Sequence, residues 1–201
     1  MPASIWPGTL ASFCDDVAGS NPAPAAVAAS AVTAALGLSL LIKVLEIAGN
    51  RKSFTGDSLK LKTLIEAARV ETEALKKAAD HDIEAVRLYL ESRDPVVARN
   101  AIEVPMRAAR AAVAGLDLCA EAAEIQGVTK GLPAADLAAA VLLLSTAARA
   151  ILLSVQFNLR QVDSAEPYRA EIAAERQALE DHAARQADAV LRLIPLDAVS
   201  G

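Results

Sequence analysis

Residues 25–42 read AAVAASAVTAALGLSLLI, and this uncharged stretch decides the fold class. Alanine and leucine lose little side-chain freedom in a helix, so the stretch predicts one. Its apolar residues surround the helix instead of following one stripe, which is typical of a helix buried among others. Its length is also close to the roughly 17 residues that span a membrane, so a membrane-associated bundle is an alternative. Because Lys43 and Glu46 follow within a turn, we favour a buried helix that a second subunit helps to cover.

Helical periodicity continues along the chain, and no run of residues alternates as a strand does. Six helices are predicted, at residues 9–18, 25–47, 58–92, 95–126, 134–162 and 167–194. Thr9 is expected to cap the first helix, and Pro105 to bend the fourth. No repeat or linker divides the chain. The sequence therefore predicts an all-α six-helix bundle with long, partly bent helices, a single domain over residues 1–201, and a dimer.

The composition excludes several classes of function. A net charge of -5 and an aromatic content of 3% give neither a basic field nor a stacking surface for nucleic acid. Cys14 and Cys119 lie in apolar helical patterns and are predicted to be buried, inert thiols in a reducing cytoplasm. No set of histidines, cysteines and carboxylates has the spacing of metal ligands, so no metal site is predicted.

A few polar residues stand out in this apolar background. Asp136 lies in the first turn of a predicted helix, where favourable interaction with the helix dipole is sufficient to explain it. Asn158, near the end of that helix, is expected to bond a neighbouring carbonyl. The junction at residues 22–25 starts a helix, and helix starts can receive an anion or a carbonyl oxygen. His81 lies between two aspartates as a possible proton carrier, and His182 is placed on a charged, solvated face.

The chain also resembles, over nearly its whole length, the cyclodeaminase/cyclohydrolase family of folate enzymes. The order and spacing of several short segments carry this resemblance. These segments are Leu10 with Phe13 and Ala18, Ser20-Asn21-Pro22-Ala23-Pro24, Gly49-Asn50-Arg51-Lys52-Ser53-Phe54, Asp80-His81-Asp82-Ile83-Glu84-Ala85, Glu103-Val104-Pro105-Met106, Ala134-Ala135-Asp136 and Phe157-Asn158-Leu159.

The resemblance implies a homodimer that binds a tetrahydrofolate derivative in a cleft near the proline-rich turn, without a metal or a separate cofactor. It implies chemistry on the N5–N10 one-carbon bridge, either hydrolysis of the methenyl form or ring closure of the formimino form with loss of ammonia. By resemblance, Asp82 and Asp136 are candidate acid/base or cation-stabilising carboxylates. The residues that resemble the family's folate-binding positions are Pro24, Ala25, Arg51, Lys52 and Asn158.

One departure from the family pattern supports a second reading. The family's turn continues from Pro-Ala-Pro into three glycines and a serine, whereas this chain has residues 25–28 as Ala-Ala-Val-Ala. The added Cβ atoms, and the branched side chain of Val27, are expected to crowd a ligand against that backbone. The alternative is therefore a non-catalytic, dimeric helical paralogue that binds another small molecule or a protein partner.

Overall fold

The structure, a computed structural model, describes residues 4–92, 95–129, 131, 133–161 and 166–194. These residues form six α-helices and one short 3-10 helix, and the all-α prediction is confirmed. The helices are α1 Leu10–Ala18, α2 Ala26–Gly49, α3 Ser58–Ser92, α4 Pro95–Ala123, α5 Pro133–Asn158 and α6 Pro167–Leu193, with the 3-10 turn Leu159–Gln161 after α5.

The helix boundaries follow from local chemistry. The Thr9 side chain accepts a hydrogen bond from the Ser12 N–H and caps α1, as predicted. Pro105 lies inside α4, also as predicted. The fourth helix is shorter than predicted, because its α-helical bonds end at Ala123 and turns replace them before Gly127, whose φ of 92° is left-handed. The predicted end of the fifth helix at Val162 lies outside the described residues.

The two least charged helices form the centre of the bundle. α2 and α5 pack on each other more extensively than any other pair, with α3 beside α2, α6 beside α5, and α4 touching all four. The absence of a side chain allows close packing at Gly37, where an added Cβ would lie 2.9 Å from the Leu144 Cγ atom. Many core positions are alanine, so the helix axes approach closely.

A few close contacts fix how the helices align along the bundle. Gly49 of α2 packs on Leu61 of α3. Because the two helices are antiparallel, counting back along α2 and forward along α3 by the same number of residues places Asp82 opposite Ala28. Lys43 pairs with Asp136 between α2 and α5, and equal steps from there place Ala25 opposite Ser154. We call the cross-section at the start of α2 the proline end. The opposite end, formed by residues 50–57 and 124–129, is called the loop end.

α6 is held on α4 by polar contacts at a seven-residue spacing. The Tyr168 hydroxyl donates to the Glu103 carboxylate at 2.8 Å. Two helical turns further along both helices, Arg110 donates from Nε and Nη2 to the two Glu175 oxygens at 2.6 and 2.8 Å. His182 Nε2 then lies 2.7 Å from Asp117 Oδ1, so the His182 side chain, which is 41% exposed on this charged face, also contacts a neighbouring helix. Parallel helices in near-constant register explain the spacing.

α1 lies on the outside of the bundle and has no buried residue. Its apolar positions Leu10, Phe13, Cys14 and Val17 form one helical stripe, of which Leu10 is 68% exposed. The predicted burial of Cys14 is wrong, because this residue is exposed on the outer helix α1. Cys119 is buried as predicted, and burial raises the pKa of its thiol to about 12, which keeps it inert.

Within the described ranges, two helices, α2 and α5, have the length and hydropathy of a membrane span. Half of the most apolar window in each is buried against other helices. A core helix of a bundle passes the same test, so the two helices are weak evidence for a membrane. The folded packing of α2 against α5 agrees with the prediction of a buried helix.

Candidate functional site

The proline end brings residues from four helices to one level. Equal steps from the contacts above place Asp82 of α3 opposite Ala28 of α2. The Asn158 side chain of α5 is hydrogen-bonded to the Ala101 carbonyl of α4. Counting four residues from this contact along each of the two antiparallel helices places Pro105 opposite Ser154. Sequence positions far apart in the chain are therefore neighbours along the bundle axis.

Asp82 is the buried carboxyl group of this cross-section. It continues the buried stripe of Leu75 and Ala79 and is only 4% exposed. Desolvation of its charged form raises its pKa from 3.8 to about 7. In the described chain, every fully buried side-chain oxygen has a hydrogen-bond partner. The carboxyl oxygens of Asp82 have no hydrogen-bond partner within the described residues. Its residual exposure therefore includes the carboxyl oxygens, which leaves them within reach of water or a small ligand.

Asn158 has a structural partner that explains its position. Pro105 has no N–H, so the Ala101 carbonyl one turn earlier loses its normal helical donor. The Asn158 side-chain amide donates to that carbonyl at 2.7 Å. The prediction that Asn158 bonds a neighbouring carbonyl is confirmed. Its predicted contact with a ligand stays a prediction.

The start of α2 offers backbone donors. Ala25 is the N-cap residue and makes no side-chain cap bond, so the first-turn N–H groups of α2 lack a side-chain acceptor. The preceding bond between Ala23 and Pro24 is cis. Ala25 and Ala26 are exposed, whereas Val27 is 5% exposed. The branched side chain therefore packs inward, at the level of Asp82, and only methyl groups line the outer side of the turn.

Two of the predicted binding residues lie at the loop end. Arg51 Nη1 donates to the Gly127 carbonyl at 3.2 Å, and Lys52 is exposed beside it. The loop end contains a cavity of about 240 Å³ whose lining residues are Arg51, Ser53, Phe54, Thr55, Gln126 and Gly127. A cation, hydroxyl groups and an amide around this space suit a polar or anionic group.

Asp136 also lies towards the loop end. Its Oδ2 atom is 2.7 Å from the Lys43 Nζ atom, and both side chains are partly exposed. A surface ion pair of this kind contributes about 0–1 kcal/mol. Together with its place in the first turn of α5, this contact gives Asp136 a structural explanation.

The predicted residues thus fall into two groups within one subunit. α2 has 24 residues and is about 36 Å long, so Pro24 and Arg51 are separated by at least that length. Asp136 lies opposite Lys43 and Asp82 opposite Ala28, about 22 Å apart along the axis. One subunit therefore does not bring the two carboxylates to one carbon atom.

Two features of the described chain were not predicted from the sequence, the polar seam between α4 and α6 and the burial of Asp82. Among the described residues, no cluster of three potential ligands for a metal ion is found. The polar seam between α4 and α6 was missed, although the seven-residue repeat of Glu103, Arg110 and Asp117 is visible in the sequence. The burial of Asp82 was also missed. The sequence does carry a signal for this burial, because Asp82 lies two helical turns after Leu75 and therefore on the same face of α3.

Comparisons with known proteins agree with this architecture. The family model for formiminotransferase-cyclodeaminase matches residues 9–178. A search of curated proteins returned no match. The crystal structure of formiminotetrahydrofolate cyclodeaminase from Thermotoga maritima superposes with a TM-score of 0.86 at 20% sequence identity, covering 94% of this chain and 97% of that one. The long family match, together with the shared helical fold, shows that this chain belongs to the formiminotransferase-cyclodeaminase family.

Proposed function

We propose that this protein is a folate-dependent enzyme that acts on the N5–N10 one-carbon bridge of tetrahydrofolate, as a methenyltetrahydrofolate cyclohydrolase or a formiminotetrahydrofolate cyclodeaminase. Membership of the family supports the folate-related chemistry. The observation that carries the proposal for this chain is Asp82, a buried carboxyl group with a pKa near 7 at the level of an uncapped helix start.

A carboxyl group with this pKa suits both reactions. Each passes through a tetrahedral carbon between two nitrogens, and each needs a proton to be accepted and returned near neutral pH. Ionised Asp82 would accept a proton from the water that attacks the cationic methenyl carbon. Neutral Asp82 would give a proton to the departing nitrogen, which leaves as ammonia in the cyclodeaminase reaction. The free N–H groups at the start of α2 would donate to a carbonyl oxygen of the ligand.

The separation of the two residue groups supports a homodimer with a shared site. The distance from Pro24 to Arg51 exceeds the length of a tetrahydrofolate with one glutamate, so a single subunit does not offer both groups to one ligand. α2 and α5 expose Leu36, Leu142 and Leu153, each by more than half. These side chains give the central helices an apolar outer face that a second copy would cover.

A two-fold axis at the level of Leu36 would complete the site. Gly37 packs between Ala140 and Leu144, so Leu36 and Leu142 share one level of the bundle. A two-fold axis perpendicular to α2 at this level makes the partner's α2 run in the opposite direction. The partner's Asp136 then lies within about one helical turn of Asp82 along the bundle axis. The partner's Arg51 comes to the level of the proline-rich turn, where it would meet the glutamate carboxylates of the folate.

The activity is tested by following methenyltetrahydrofolate absorbance and, separately, ammonia release from formiminotetrahydrofolate. We expect one of the two reactions to exceed its spontaneous rate, and Asp82→Asn to lower that rate by about 100-fold or more. Asp188→Asn is the matched control, because Asp188 is exposed on α6 and far from the proline end. Wild-type turnover in Asp82→Asn would contradict the role of Asp82.

A non-catalytic role is the second candidate, and one observation favours it. Val27 fills the inner side of the turn where the family pattern has glycine, at the level of Asp82. In that case neither reaction would be accelerated, while a bound folate would still raise the melting temperature by linkage. Restored turnover in Val27→Gly would indicate that the side chain closes an otherwise competent site.

A further inference from the structure

A second cavity lies between α3 and α4, with a volume of about 220 Å³. Its lining residues are His81, Glu84, Ala85, Leu88, Val97, Asn100, Val104 and Arg107. We call it the α3–α4 groove. The groove shares no lining residue with the residues that we propose to bind folate.

The groove has three chemically different parts along its length. α3 and α4 run antiparallel, so His81 and Arg107 lie at one end. Ala85 and Val104 are buried and form an apolar floor in the middle. Asn100 lies at the other end, and the groove spans about 10 Å between the two ends. An apolar middle with a polar group at each end suits a flat, rod-shaped molecule.

The charges in the groove favour an anion. Glu84 is the carboxylate in its wall, and both of its oxygens accept hydrogen bonds from Arg87, at 2.6 and 3.0 Å. Arg87 also bonds Glu91 at 2.6 Å, which holds this cation away from other ligands. Arg107 is exposed and has no carboxylate partner within the described residues. Its planar guanidinium is therefore available to bind a carboxylate with two hydrogen bonds.

We propose that the α3–α4 groove binds an aromatic carboxylate with a polar group opposite the acid. The carboxylate receives hydrogen bonds from Arg107 and His81, the ring lies on Ala85 and Val104, and the opposite polar group meets the Asn100 amide. Such a ligand has about ten non-hydrogen atoms. Affinity for a small, open groove is then on the order of 1 mM.

The probe is 4-hydroxybenzoate, titrated into the full-length protein and followed by ligand-observed NMR. We expect saturable binding that Arg107→Gln weakens by about 10-fold. The neutral isostere 4-hydroxybenzamide should bind wild type about 10-fold more weakly than the acid does. Arg185→Gln is the matched control, since Arg185 is an exposed cation on α6, and it should leave the affinity unchanged.

Asn100→Ala tests the orientation of the ligand. This variant should remove the preference for 4-hydroxybenzoate over benzoate while leaving benzoate affinity unchanged. Absence of saturable binding up to ~20 mM, equal binding of acid and amide, or equal loss in Arg107→Gln and Arg185→Gln would each overturn the proposal. Folate turnover, where present, should be the same in Arg107→Gln as in wild type, which separates this groove from the proposed folate site.

Discussion

Replacing Asp82 by asparagine should stabilise the protein above about pH 4, and most at neutral and alkaline pH. Burial raises the pKa of this carboxyl group from 3.8 to about 7, a difference of about three units. At 1.36 kcal/mol per unit, the buried charge costs about 4 kcal/mol of unfolding free energy when it is fully ionised. Asparagine has nearly the same shape and carries no charge, so the variant avoids this cost.

The direction of the pH dependence follows from the two protonation equilibria. Between pH 4 and pH 7 the native state keeps the proton on Asp82, while the unfolded chain has lost it. The native state therefore binds more protons, and the contribution of Asp82 to the unfolding free energy falls as the pH rises through this interval. Above pH 7 both states are ionised and the penalty is constant.

The assay is urea unfolding of wild type and Asp82→Asn at pH values from 4 to 8 and constant ionic strength. We expect the two proteins to have similar unfolding free energies at pH 4, and the variant to be more stable by up to about 4 kcal/mol at pH 8. Asp188→Asn, at an exposed site, should follow wild type throughout. A stability difference that does not change with pH would refute the reasoning, because it would show that Asp82 titrates normally in the native state.

Two further predictions concern the packing of the bundle. Asn158→Ala should lower the unfolding free energy by about 1–3 kcal/mol, because it leaves the Ala101 carbonyl without a donor, and adding Pro105→Ala should recover part of that loss in urea unfolding. Leu36→Glu should convert the proposed dimer to a monomer in sedimentation velocity, whereas the equally exposed control Val70→Glu on α3 should not. A dimer that persists in Leu36→Glu would show that the central face is not the interface.

The fold was predictable because helix formation here depends on local properties. Alanine and leucine content, the helical period and Thr9 as an N-cap are all visible in the sequence, and they place most helices to within a few residues. The end of α4 was predicted too late because turns with a left-handed Gly127 replace its last α-helical bonds. Such a substitution depends on how the loops at that end pack together.

The arrangement of the candidate site was not predictable in the same way. Sequence reasoning selected Asp82 and Asp136 together, but the axial register of α2 against α3 and α5 determines the distance between them. That register follows from close contacts such as those at Gly37 and Gly49, which join residues far apart in the chain. Composition and periodicity carry no information about it. The burial of Asp82 was partly visible, since the residue continues a hydrophobic stripe of α3.

Structural needs account for the other prominent aspartates better than for Asp82. Asp80 accepts a hydrogen bond from the Ile5 N–H at 3.1 Å, Asp117 binds His182, and Asp136 pairs with Lys43. Asp82 is the buried carboxyl group of the described chain, and it makes no comparable bond there. An alanine-rich core would accommodate an apolar side chain at this position and would be more stable at neutral pH. A buried group that costs stability and serves no packing purpose is best explained by chemistry, so the same substitution that stabilises the fold should remove the activity.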